Sequence, residues 1–187
     1  MRRLALLLLL PVCLVACGEP PLKEFHQAQG AIEAARAAGA EVFAPEELAA
    51  ADLALKRYGD AVAERDFRQA LSHALDARER ASAAAQKAAA DKATRRGAVE
   101  RMIVLLATHV ERGRVVANGA TRAQDPAAHA LRQVIADTER ALQNARAALE
   151  RDDVPSALAV LNGFEARLQE ALRPFDAPPA PAPARRR

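Results

Sequence analysis

The apolar positions of this chain recur three and four residues apart, the spacing of one face of an α-helix. Phe25, Ala28, Ile32 and Ala35 predict a first helix from Leu22 to Ala38, and Gly39 stops it. Ala44-Pro45-Glu46-Glu47 opens a second, since proline at the first helical position loses no hydrogen bond and the glutamates complement the positive end of the dipole. It carries Leu48, Leu55, Tyr58 and Val62 inward and ends near Glu64. Asp66, with Gln69 at the capping-box position, starts a third helix through Phe67, Leu71, Ala74 and Leu75 into the alanine-rich stretch Ala81 to Ala93. Met102, Ile103, Leu106 and Val110 continue its stripe. Gly97 is only a weak interruption, so the segment reads as one helix of forty or more residues or as two joined near Arg95-Arg96-Gly97. Asn118-Gly119 to Gln124 is the best interior loop, and Asp125-Pro126 starts a helix carrying Leu131, Val134, Ile135, Leu142, Ala145 and Leu149. Asp153 caps the last helix, whose Val154, Leu158, Leu161, Phe164, Leu168 and Leu172 form the cleanest amphipathic stripe. Asp66-Phe67-Arg68-Gln69-Ala70-Leu71 and Asp153-Val154-Pro155-Ser156-Ala157-Leu158 echo one another, predicting two similar helical corners.

Composition sharpens this picture. Of 187 residues, 48 are alanine; 51% are hydrophobic but only 3% aromatic, and Trp is absent. Alanine favours helix, whereas the residues that favour strands are scarce. Sandwiches, barrels and parallel-sheet enzymes are excluded on this ground. The 171 residues from Cys17 onward hold only 35 apolar side chains larger than alanine, too few for a thick core. Alanine lets helix axes approach to the short end of the usual spacing of about 8–10 Å. The predicted fold is therefore all-α, an elongated antiparallel bundle of helical hairpins with one long central helix.

The two ends differ from the body. Residues 1–16 read as an export signal: Arg2 and Arg3 precede an apolar run from Leu4 to Ala16, too short to span a bilayer. Leu14-Val15-Ala16-Cys17 resembles the lipobox of bacterial lipoproteins, in which the cysteine takes a diacylglyceryl group, the signal is cut before it and the new amino terminus is acylated. That resemblance implies removal of 1–16, a lipid anchor at Cys17, a short tether over 17–21, and a helical body over 22–173. Each buried methylene of an acyl chain contributes about 0.8 kcal/mol, so two or three chains hold the protein on a membrane. Gly18, rather than aspartate, follows the cysteine, which by the same resemblance points to the outer membrane, facing the periplasm. Cys13 leaves with the signal, so no thiol remains for a disulfide, metal or catalysis. From Pro174 to Arg187 the chain turns proline-rich and ends in Arg185, Arg186 and Arg187, predicting an extended tail. These arginines either contact an anionic surface, at roughly 1 kcal/mol each, or form a terminus without a partner.

Between the ends charge is balanced: 22 basic and 22 acidic residues lie from Leu22 to Arg173, so the net charge of +3 gives no argument for nucleic acid. Ala35-Ala38-Gly39-Ala40, Ala44-Pro45-Glu46-Glu47-Leu48 and Asp66-Phe67 with Ala70, within 31–90, resemble the lipoprotein family known as domain of unknown function 4398. Its members are exported, alanine-rich and helical, some with an OmpA-like domain that has no counterpart in this sequence. The resemblance implies location and fold and no activity.

The search for chemistry yields little. His26, His73, His109 and His129 lie on separate helices without metal-ligand spacing, and no cysteine partner or phosphate loop accompanies them. Glu46-Glu47 and Asp152-Asp153 sit at helix starts, where the dipole accounts for them. The arginines between Arg78 and Arg114 alternate with glutamates, as on a solvated helix face. The expectation is a non-enzymatic lipoprotein without cofactor or metal. It would act as a scaffold or adaptor for an envelope protein through a helix groove or the tail. The alternative is a carrier or sensor of an apolar ligand such as lipid, which requires a cavity lined by Leu, Ile and Phe.

Overall fold

The computed structural model describes residues 18–119 and 125–176. They are helical throughout, apart from short connections. The helices are α1 (Leu22–Ala37), α2 (Ala40–Phe43), α3 (Pro45–Ala63), α4 (Phe67–Gly119), α5 (Pro126–Glu150), α6 (Val154–Leu161) and α7 (Phe164–Asp176). The all-α fold with one long central helix agrees with the sequence. Two compact units divide the chain, the first ending at Asp91 and the second beginning at Lys92.

The first unit is built from α1, α2, α3 and the start of α4. Tyr58 and Ala61 near the end of α3 pack with Ala70 and Ala74 near the start of α4, whereas the earlier Ala54 meets the later Ala77. The two helices are therefore antiparallel. Phe25 stacks on Tyr58 with ring centres 4.7 Å apart, Arg36 reaches back to Asp52 at 3.0 Å, and so α1 also runs antiparallel to α3. The seam is alanine on alanine. Ala28, Ala54 and Ala77 form one buried cluster, and Ala70, Ala74, Ala77, Ala81, Ala84 and Ala88 make a continuous buried stripe on α4. Leu71 and Leu75, expected among the first residues of that stripe, are instead turned partly outward. A methyl group permits closer helix contact than leucine does, and the chain uses the small residue on the contact face. The short α2, which the hydrophobic pattern did not suggest, turns the chain after Gly39 (φ +86°) and buries Phe43.

The second unit takes the rest of α4 with α5, α6 and α7. Val99, Ile103, Leu106, Val110 and Ala117 are the buried positions of α4 here. Arg114 pairs with Glu139 at 2.7 Å and Arg96 with the Leu149 carbonyl at 3.2 Å, so α5 runs back along α4. At Gly113 the two helices come close: a Cβ there would lie 3.0 Å from Cδ1 of Ile135. α4 is one unbroken helix of 53 residues, which settles the choice between one helix and two.

The last predicted helix is broken. Asn162 adopts an extended conformation (φ −60°, ψ 130°) and Gly163 a left-handed one (φ +80°), so α6 ends at Leu161 and α7 starts at Phe164. Glycine meets little steric penalty there. Leu158, expected inward, is 39% exposed, and Ala157 is buried instead. α7 also runs past the predicted boundary, through Pro174 to Asp176. Proline loses only one amide bond there, and Arg112 holds Asp176 at 2.5 Å.

The sequence echo is a repeated structure. At the α3–α4 corner Asp66 N–H donates to the Ala61 carbonyl (2.9 Å), Arg65 N–H to Val62 (3.0 Å), and Gln69 N–H to the Asp66 carboxylate (2.9 Å). At the α5–α6 corner Asp153 N–H donates to Ala148 (2.9 Å), Asp152 N–H to Leu149 (3.1 Å), and Ser156 N–H to the Asp153 carboxylate (3.1 Å). Both corners place a non-glycine residue in the left-handed region, Arg65 at φ 59° and Asp152 at φ 61°. A shift of 87 residues carries one corner onto the other. The same shift pairs Leu48 with Ile135, Ala51 with Thr138, Ala54 with Ala141, Tyr58 with Ala145, Ala61 with Ala148, Ala70 with Ala157 and Ala74 with Leu161, all of them buried.

Candidate functional site

Cys17, the cut before it and Arg185, Arg186 and Arg187 lie outside the described residues. The chain enters the described region beside the α3–α4 corner. Gly18 lies close enough to Phe67 that a Cβ would come 3.4 Å from its Cδ2, and Leu22 N–H donates to the Pro20 carbonyl at 2.8 Å. No described helix is long and apolar enough to cross a membrane.

The four histidines fall on three helices rather than on separate ones, because His73 and His109 share the unbroken α4. His26 on α1 lies 3.3 Å from Gln29 through Nδ1 and touches Phe25; His73 and His109 belong to the two ends of α4, and His129 is exposed on α5. Among the described residues no three His, Cys, Asp or Glu side chains gather as a metal site. His109 Nδ1 and Tyr58 Oη are buried without a hydrogen-bond partner. Burial, and then the charge of Glu24, push the Tyr58 phenol above its ordinary pKa.

The acidic pairs have structural partners. Glu47 faces Lys87 at 3.5 Å. Asp152 pairs with Lys92 and lies 3.7 Å from Arg96. Hydrogen bonds from Ser156 hold the Asp153 carboxyl below the usual carboxylate range, as an N-cap requires. Arg78 donates to Gln27, Arg80 pairs with Asp76, Arg96 with Glu100, and Arg112 with Asp176. Asp52, aided by Glu33, raises the pKa of Arg36 above its ordinary value, consistent with the ion pairs joining α1 to α3.

Three surface depressions open to solvent, one in the first unit and two in the second. The first, about 280 Å³, is lined by Glu46, Glu47, Ala50, Arg80 and Ala83. The second, about 370 Å³, lies where α6 gives way to α7. Val160 and Phe164 line it together with Asp137, Arg140, Asn144 and Arg167. Arg167 lies over the Phe164 ring at 5.0 Å, and Asp137 joins it to Arg140 at 3.2 and 2.5 Å. Sequence reasoning missed this groove because it depends on the break at Asn162-Gly163. That Asn-Gly dipeptide was the available signal. The third, about 370 Å³, is lined by Gly97, Glu100, Arg101 and Val104, and Phe164 in the second is the one Leu, Ile or Phe side chain that lines any of the three.

The outer side of α4 in the second unit carries exposed Val104, Leu105 and Val115. Comparison with known protein families, with curated proteins and with solved structures finds no match to this chain.

Proposed function

We propose that this chain is a lipid-anchored protein of the bacterial cell envelope that serves, without catalysis, as a periplasm-facing scaffold for other proteins. The observation that carries the reading is Leu14-Val15-Ala16-Cys17 at the end of a basic and then apolar segment. The fold is compatible with it. Acidic and basic side chains singled out in the sequence are used in caps and ion pairs, while exposed apolar side chains on α4 leave helix surface open to partners. Membership of the alanine-rich lipoprotein family named above is part of the same proposal, as is outer-membrane residence. The alternative, a carrier of an apolar ligand, gains no support from open depressions lined by charged residues or from the alanine-packed seam of the first unit.

The test is fractionation of cells expressing the chain and its Cys17→Ser variant, followed by affinity capture from solubilised envelopes. The reading predicts parent protein in the membrane fraction, variant protein unprocessed or soluble, and a stoichiometric protein partner retained by the parent. Equal distribution of parent and variant defeats the anchor. A parent captured alone, under conditions that preserve known envelope complexes, defeats the scaffold. Truncation after Asp176, which spares the Arg112–Asp176 pair, asks whether the arginine tail contributes to capture.

A further inference from the structure

Gly18 is the direct chain neighbour of Cys17, and it lies beside the start of α4, where a Cβ on it would come 3.4 Å from Cδ2 of Phe67. Leu22 N–H donates to the Pro20 carbonyl and Phe25 N–H to that of Pro21, at 2.8 and 3.1 Å, which fastens the following residues to the first turn of α1. Consecutive Cα atoms are about 3.8 Å apart whatever the conformation. The described chain therefore begins beside the α3–α4 corner, one residue after Cys17 in the sequence.

We propose that this corner, together with the first turn of α1, is the lipid-facing end of the first unit and rests at the headgroup level of a phospholipid bilayer. The proposal rests on the lipid-anchor reading and adds the surface that meets the membrane. The side chains there suit an interface. Leu22 is 56% exposed on α1, Leu71 is 38% exposed on α4, and Phe67 is half-buried. Lys23, Arg65 and Arg68 are exposed at the same end, and side chains of this kind lay their aliphatic stems along apolar surface at an interface while their charges reach phosphate. Glu19, Glu24, Glu64 and Asp66 stand among these cations, so acyl chains rather than net charge supply the attachment. The opposite end of the unit is the α2 turn with exposed Val42. α3 connects the two ends with 19 residues, a length of about 28 Å.

Purified, lipidated full-length protein is reconstituted into phosphatidylethanolamine–phosphatidylglycerol vesicles containing brominated lipid. A fluorophore is placed by Arg68→Cys in one sample and by Val42→Cys in the other; in the lipidated chain each is the sole thiol. Several-fold stronger quenching at position 68 than at 42 is expected. Insertion of a long Gly-Ser linker between Cys17 and Gly18 is expected to reduce the quenching at 68 while the protein still floats with vesicles. Equal quenching at both positions, stronger quenching at 42, or no effect of the linker overturns the proposal while leaving the anchor intact. A protein that carries no lipid and does not float with vesicles overturns the anchor, and this inference with it.

Discussion

The same substitution at two glycines of α4 has opposite predicted outcomes. Alanine in place of glycine inside a helix gains about 1 kcal/mol of propensity. At Gly97 a new Cβ would come 3.4 Å from Nη1 of Arg101, an ordinary contact with the far end of a flexible exposed chain. The gain is therefore kept, and Gly97→Ala is expected to raise Tm by roughly 2–4 °C for a chain of this size. At Gly113 the Cβ would lie 3.0 Å from Cδ1 and 3.3 Å from Cγ1 of Ile135, with Cδ1 of Leu131 at 3.6 Å. Both neighbours are buried. Overpacking of this kind costs about 1–3 kcal/mol, which cancels or exceeds the propensity gain. Gly113→Ala is therefore expected to leave Tm unchanged or to lower it by up to roughly 8 °C. Thermal unfolding followed by far-ultraviolet circular dichroism, with both variants in parallel, reads the difference. If Gly113→Ala stabilises as much as Gly97→Ala, then α4 and α5 do not approach as described and the reasoning fails.

Overpacking tests the other seam as well: Ala77→Leu, at a fully buried position against Ala28 and Ala54, is expected to cost about 1–3 kcal/mol, whereas Ala89→Leu on the exposed side of α4 is expected to change Tm little. Equal effects in the same melts would remove the close alanine contact. Asp153 contributes stability above its unfolded pKa, because its folded value is lowered, and this is lost as pH falls through that folded value. Asp153→Ala should thus lower Tm at neutral pH, and its difference from the parent should shrink on acidification; a gap that widens toward acid contradicts the cap. The left-handed residues of the two corners are expected to diverge. Arg65→Gly relieves strain and stabilises by about 1 kcal/mol, while Asp152→Gly is offset by loss of exposed pairs with Lys92 and Arg96 worth about 0–1 kcal/mol.

Helix starts were legible because their signals are local. Asp66, Asp125 and Asp153 cap helices through their carboxylates, Pro45 and Pro126 occupy first turns, and Gly39 ends α1 by its own backbone conformation. Continuity was harder to read. The stripe from Val154 to Leu172 continues past Asn162-Gly163 as if the helix did, because periodicity records where apolar residues stand, not where the backbone breaks. For the same reason Leu158 was misplaced, and the groove beside Phe164 had no counterpart in the sequence reading. Gly97 lacked the power to divide α4, since a single glycine costs less than the packing of buried neighbours such as Val99 and Ile103 supplies. The alanines of α4 were visible as composition. Which of them form the seam became clear only with the partners Ala28 and Ala54 in place.

The most direct test of the central claim is the intact mass of the N-terminal fragment of the protein isolated from the membranes of cells in which it is made. Loss of residues 1–16 and a diacylglyceryl thioether on Cys17 are predicted, with a further acyl group on the new amino terminus. A fragment that retains residues 1–16, or begins at Cys17 with an unmodified thiol, contradicts the account.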